Sequence, residues 1–252
     1  MTTQGGVVLV TGGTRGIGRA ISLRLARDRP QAVVAAYCLD HDAARKTVAE
    51  LQSLDVQAEA LATNVGDPVL LEKLFRHVEE RYGRLDVFVS NAARASFAPA
   101  LDLSTRVFAR MMELNAQAFL VGAQLAARLM KKGGGGNIIG VSSLGAMRCA
   151  PHYAGLGSSK AALESLARYL ACELAPDNIN VNVVSGGYID TESMKINPER
   201  ERLTAHVLAR TPAGRLGTEN DLAEVVGFLC SPGSAWIRGQ VIIADGGFSL
   251  TM

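Results

Sequence analysis

The chain has 252 residues, 48% of them hydrophobic and 5% aromatic, with 26 basic against 24 acidic side chains and a formal net charge of +2. That near-neutral balance gives no electrostatic footprint for nucleic acid or a membrane surface, and no apolar run approaches the length of a bilayer span. The four cysteines, Cys38, Cys149, Cys172 and Cys230, and the four histidines are scattered without ligand-type spacing. They exclude a disulfide frame and predict no metal site. The N-terminus enters a strand almost at once with no signal-peptide pattern, so the expected location is cytoplasmic. Ala, Val and Leu in place of aromatics predict a single α/β domain over residues 1–252.

The first predicted element is a short buried strand, Val7 to Val10. It passes into Thr11-Gly-Gly-Thr-Arg-Gly-Ile-Gly18 and a helical pattern through Arg27. Glycines there let backbone approach a pyrophosphate while the helix N-terminus aims amides at it. Gly12, Thr14, Arg15, Gly16, Ile17 and Gly18 are therefore the first candidate cofactor contacts, against the plainer reading of a structural turn. The next strand, Ala32 to Tyr37, is expected to end over the adenosine ribose. An NAD site places a carboxylate at that end to bond the 2′-hydroxyl. Tyr37 stands there instead, and Arg15 offers a guanidinium for a 2′-phosphate, so NADPH is favoured over NADH. Asp40 and Asp42 count against this if either turns inward.

A helix from Ala43 to Ser53 leads to a third strand, Gln57 to Thr63, after which Asn64 and Val65 are placed to edge an adenine. The helix Pro68 to Tyr82 precedes Leu85 to Ala93, a strand that opens onto small residues. Asn91 and Ala92 are candidate cofactor contacts at its end. Val107 to Met130 reads as one long buried helix, interrupted in its apolar pattern by Asn115, which is expected to make a local kink or hold a water behind an active-site lysine. Gly133 to Gly136 form a turn, and Asn137 to Val141 a fifth strand that delivers Ser142 and Ser143.

Next come a phenol and an amine, Tyr153 and Lys160. A cation is the simplest device for stabilising a phenolate, whose parent pKa is about 10. Seven residues of helix separate them by about 10.5 Å of rise, so Tyr153 must stand a turn upstream, with Gly155 and Gly157 giving the chain freedom to fold back. The plain alternative is a half-buried aromatic and a solvated lysine. The helix carrying Lys160 runs to about Leu174. Ile179 to Val184 and Gln240 to Ala244 are the sixth and seventh strands, and the stretch from about 188 to 217 between them is expected to be a substrate lid. Alternating strands and helices predict a Rossmann-like, doubly wound sheet of seven mainly parallel strands with helices on both faces.

These pieces resemble the short-chain dehydrogenase/reductase family over essentially the whole chain. The matching motifs are Thr11 to Gly18, Asn91-Ala-Ala93, Asn115, Ser142 with Gly145, Lys160, Gly187 to Thr191 and Asp245-Gly-Gly247. Most members place a tyrosine four residues before the lysine, where this chain has Leu156. Tyr153, seven before Lys160, is similar to the enoyl-acyl carrier protein reductases, especially their divergent NADPH-using third type. Ser143 stands where the best-known of these carry a second tyrosine.

The resemblance implies reduction of a trans-2-enoyl thioester in fatty acid biosynthesis. Tyr153 would bond the thioester oxygen and Lys160 the nicotinamide ribose, with Ser142 and Asn115 as secondary active-site residues. Ile189 and Thr191 would contact the carboxamide by backbone and hydroxyl, with Gly187 a further cofactor contact. It also implies a homotetramer built on the helices around 107–130 and 160–174. The alternatives are a carbonyl reductase of the 3-ketoacyl type, a tailoring reductase acting on an enone or imine, and a non-catalytic NADPH sensor. Lys195, Arg200, Arg202, Arg210 and Arg215 form a candidate docking face for an acidic acyl carrier protein, diluted by Glu192, Glu199 and Glu201. Arg94 has no assignment beyond the pocket rim.

Overall fold

The computed structural model describes residues 3–189, 191 and 199–251. Seven strands form one sheet in the order β3-β2-β1-β4-β5-β6-β7, and every neighbouring pair is parallel. They are β1 (Val7–Thr11), β2 (Ala32–Tyr37), β3 (Gln57–Ala62), β4 (Val87–Ser90), β5 (Gly136–Ser143), β6 (Ile179–Gly186) and β7 (Val241–Ala244). β1, β4 and β6 are buried at every residue. This is the signature of a sheet covered on both faces, and it explains why these strands read as unbroken apolar runs.

The helices are α1 (Gly16–Ala26), α2 (His41–Gln52), α3 (Pro68–Tyr82), α4 (Thr105–Met112), α5 (Ala118–Gly133), α6 (Ala154–Glu173), α7 (Arg200–Arg210) and α8 (Glu219–Leu229). Two cores result. One packs Leu71, Phe75, Phe119, Ala126 and Leu163 of α3, α5 and α6 on Phe88, Ile138 and Val183. The other packs Ile21, Leu25, Leu51, Val226 and Leu229 of α1, α2 and α8 on Val10, Val33, Val89 and Val184. Strand order reverses between β1 and β4, so a crevice opens at the carboxyl ends of these two strands.

Two local expectations change. The long helix is two helices, α4 and α5, joined by a π-helical turn at Glu113–Gln117 that contains Asn115. A turn of that kind widens the helix by one residue and turns a side chain out of the regular ladder. Second, α6 begins at Ala154, so Gly155 and Gly157 lie inside a helix and supply no hinge. A Cβ at Gly155 would stand 2.2 Å from Met111 Cε, and one at Gly157 2.3 Å from the Gly145 carbonyl oxygen. These glycines permit close packing. Within the 188–217 stretch, α7 is joined to its start through the Tyr188 hydroxyl, 3.0 Å from Thr204 Oγ1. Asp190 and residues 192–198 of the expected lid lie outside the described residues.

Candidate active site

The Gly-rich turn is pinned to the neighbouring strand end. Asn91 donates from Nδ2 to the carbonyl oxygens of Thr11 (3.0 Å) and Gly12 (3.2 Å), and Thr11 Oγ1 accepts from the amides of Asn91 and Ala92, both at 3.1 Å. A Cβ on Gly18 would stand 2.0 Å from the Gly12 carbonyl oxygen, so only glycine lets α1 come this close to the turn. Gly16, at φ +52, has nothing within 4 Å of a hypothetical Cβ, and the N-cap residue Arg15 makes no side-chain capping bond. The open, uncapped N-terminus of α1 fits a pyrophosphate. Thr14 is buried, its carbonyl accepting from Thr47 Oγ1 at 2.8 Å, and Ile17 packs against the second core.

At the end of β2, the Tyr37 hydroxyl lies 2.8 Å from His41 Nδ1. Asp40 does not turn inward: its carboxylate caps α2 by accepting from the Ala43 amide at 2.9 Å. Asp42 is paired with Arg45. Asn64 is exposed and accepts from the Gly66 amide, whereas Val65 is buried in the first core. An adenine at this edge would meet Asn64; the Val65 side chain is committed to packing.

Tyr153 is the N-cap residue of α6, and its hydroxyl lies 3.0 Å from Ser143 Oγ. The ring stands beside Phe97, with centroids 5.8 Å apart. Burial raises its pKa above the ordinary phenol value, and Ser143 acts in the opposite direction. Among the described residues no hydrogen bond joins Tyr153 to Lys160, and burial favours the neutral phenol. Lys160 is buried, donates from Nζ to the Val141 carbonyl oxygen at 2.6 Å, and is pulled down to about 8 by desolvation, with Glu164 raising it. Leu156, where most relatives carry the phenol, is buried.

The serine beside Tyr153 is Ser143, and Ser142 instead donates to Glu164 Oε1 at 2.5 Å. Consecutive residues of a strand point to opposite faces, so only one of the pair can look into the crevice. The missed residues are therefore Ser143, Phe97 and Glu164, and the last was legible as one helical turn beyond Lys160. Asn115, 1% exposed, donates to Ser159 Oγ (2.8 Å) and the Arg94 carbonyl (3.1 Å) and accepts from the Arg94 amide (2.8 Å). It clamps the loop after β4 to α6 one residue before the lysine. Arg94 thus enters this network through its backbone, with its side chain exposed at the rim.

On the far side, a Cβ at Gly187 would stand 2.7 Å from Asp245 Cβ, which seats this loop on the Asp245-Gly-Gly turn. Ile189 is buried and bridged to Gly217, and the Thr191 amide donates to the Ile189 carbonyl at 2.9 Å. The basic face thins: Arg202 pairs with Glu199 at 3.3 Å and Arg215 with Asp221 at 2.7 Å, while Lys195 and Glu192 lie outside the described residues. Among the described residues there is no cluster of three metal-ligating side chains, and no helix long and apolar enough to cross a membrane.

The family profile described as Enoyl-(Acyl carrier protein) reductase matches residues 12–249. The chain is 44% identical over 246 residues to 1-cyclohexenylcarbonyl-CoA reductase of Streptomyces collinus, covering 97% of this chain and 87% of that one. A structure of a putative short-chain alcohol dehydrogenase from Sinorhizobium meliloti 1021 superposes with a TM-score of 0.94 at 32% identity, covering 100% of this chain and 99% of that one. A 7α-hydroxysteroid dehydrogenase complexed with NADH and 7-oxo glycochenodeoxycholic acid gives 0.91 at 34%, covering 98% and 95%. With an open helix N-terminus at the sheet's switch point and a phenol and lysine on α6, the chain is an oxidoreductase and belongs to the short-chain dehydrogenase/reductase family.

Proposed function

We propose that the protein is an NADPH-dependent reductase of the carbon–carbon double bond of a trans-2-enoyl thioester. The observation that carries this reading is the phenol at the N-cap of α6, seven residues ahead of Lys160, with Leu156 buried at the alternative position. Reduced nicotinamide, when bound, supplies a hydride. In conjugate reduction the hydride enters at the β-carbon and charge collects on the thioester oxygen, which is carried two carbons further along. A phenol set back by a turn suits that oxygen, whereas a ketone oxygen is attached to the carbon that receives the hydride.

Tyr153, held neutral by burial, is in the donating form such an oxyanion needs. Ser143, 3.0 Å from it, is a second hydroxyl for the same oxygen. Lys160 anchors the nicotinamide ribose, and Gly187, Ile189 and Thr191 form the carboxamide side. The name of the Streptomyces relative describes an alkene conjugated to a coenzyme A thioester carbonyl, which supports the same bond type and favours coenzyme A over a carrier protein. The engagement of Arg202 and Arg215 by carboxylates supports that preference. NADPH is supported by Tyr37 and Arg15 at the ribose end, with Asp40 and Asp42 both occupied elsewhere. A cytoplasmic homotetramer and a place in fatty acid biosynthesis are further parts of the proposal.

The test is NADPH oxidation with crotonyl-CoA against acetoacetyl-CoA at equal concentration. Preferential turnover of the enoyl thioester supports the reading, and preferential turnover of the ketone overturns it. A carbonyl reductase is the second reading, favoured by the Tyr153–Ser143 pair, since two hydroxyls 3.0 Å apart can also hold a ketone oxygen.

A further inference from the structure

The reduction leaves unused a polar group on the α6 side of β5. Ser142 faces that helix and donates to Glu164 Oε1 at 2.5 Å. Across the sheet Ser142 is in register with Ser185, which is fully buried and whose Oγ has no hydrogen-bond partner. Ser185 alternates with Val181 and Val183, two residues of the core under α6, so it looks into the same space. Glu164 is half-buried one turn beyond Lys160, and Lys160 reaches back to the carbonyl of Val141, the residue before Ser142.

A buried ammonium with one recorded hydrogen bond is costly unless a counter-charge is near. Among the described residues, Glu164 is the ionisable group that acts on Lys160, and Arg168, a turn further on, acts on Glu164. Tyr153 is the remaining titratable group beside the site; Ser142, Ser143, Ser159, Ser185 and Asn115, from β5, α6, β6 and the π-helical turn, are neutral. Ser142 holds the carboxylate against the strand, on the face opposite Ser143 and the phenol.

We propose that Glu164, fixed in place by Ser142, is a positioning residue that keeps Lys160 cationic and turned toward the cofactor. The inference rests on Lys160 as the ribose anchor, and is independent of which double bond the enzyme reduces. It also gives Ser142 its place, behind the lysine and away from the substrate.

The experiment is a fluorescence titration of NADPH, and of NADH in parallel, from about pH 6 to pH 10. Wild type, Glu164→Gln, Glu164→Asp and Ser142→Ala are compared, each confirmed as folded by circular dichroism. Wild-type affinity should fall as pH rises through about 8, as Lys160 loses its proton. Glu164→Gln keeps the shape and an acceptor for Ser142 but not the charge. It should move that fall to lower pH by about one unit, leaving affinity near pH 6 within about twofold. Glu164→Asp should restore most of the shift, and Ser142→Ala should give a partial one. A pH profile unmoved by Glu164→Gln, or a loss of affinity equal at every pH, overturns the proposal. Wild type that binds neither nucleotide overturns the cofactor reading and the proposal with it, whereas failure on crotonyl-CoA leaves the titration standing.

Discussion

The ring of Tyr153 rests on Gly145, where an added Cβ would stand 2.3 Å from Cε1 and 2.4 Å from Cδ1. Gly145 is backed in turn by Gly157, whose own Cβ would stand 2.3 Å from the Gly145 carbonyl oxygen. The phenol is therefore positioned by two successive absences of a side chain, one on the turn after β5 and one inside α6. Gly145→Ala is expected to push the ring off its seat and lower kcat by about 10- to 100-fold, because a displacement near 1 Å costs that much at a reacting centre. Cofactor affinity should change little. Retention of full kcat would show that the ring position is immaterial to turnover.

Tyr153→Phe keeps the contact with Phe97 and removes the hydroxyl that faces Ser143. If that hydroxyl meets developing oxyanion charge, kcat falls about 100- to 1000-fold while the NADPH dissociation constant stays within about twofold. Lys160→Ala should damage both, since the ammonium serves the ribose as well as the field at the site. Equal effects of the two substitutions on cofactor binding would contradict this division of labour.

Burial of Lys160 also sets a pH-dependent stability term. Its folded-state pKa, about 8, lies below the ordinary value of 10.5, so the unfolded chain binds more protons between these limits. The desolvation cost is fully present below about pH 8 and is relieved as pH rises toward 10.5. Lys160→Met carries no such cost. The Tm of the variant relative to wild type should therefore be most favourable near pH 7 and decline toward pH 10, measured without nucleotide. A difference that grows with pH would carry the wrong sign.

The strands were legible because a parallel sheet buried on both faces writes itself as short apolar runs: β2 and α3 fall at the residues expected from pattern alone. The ends of α3 carry the usual signals, with Asp67 as N-cap, Pro68 in the first turn and Gly83 left-handed at the C-cap. The break at Asn115 was signalled by one polar residue, but not its form, because a π-helical turn is set by what Asn115 must reach, Arg94 and Ser159, both distant in sequence. The orientation of Ser142 and Ser143 was hidden for a related reason. Alternation says that the two serines face opposite ways, yet β5 is buried on both faces, with Ile138 in one core and Ile139 in the other, so its apolar run does not tell which of them faces the crevice. The electrostatics of Tyr153 were the least legible, since burial, absent from any spacing argument, moves its pKa opposite to the direction that a neighbouring lysine would.

Cofactor choice should reside in two exposed or half-buried side chains at the ribose end. Asp40 accepts from the Ala43 amide at the N-terminus of α2 and Asp42 is paired with Arg45, so both carboxylates have partners other than a ribose hydroxyl. Arg15, extended at the N-cap of α1 and exposed, is the guanidinium within the Gly-rich turn, and Tyr37 ends β2. A charge-assisted hydrogen bond contributes about 1.5 to 3 kcal/mol, so Arg15→Ala should weaken NADPH by about 10- to 100-fold and leave NADH within about twofold. Tyr37→Asp introduces the missing carboxylate and should reverse the preference, by repelling the phosphate and bonding the free hydroxyl. Dissociation constants for both nucleotides, measured by fluorescence at one pH and one salt concentration, separate the outcomes. If Arg15→Ala weakens NADPH and NADH alike, the guanidinium serves the pyrophosphate common to both and selection lies elsewhere.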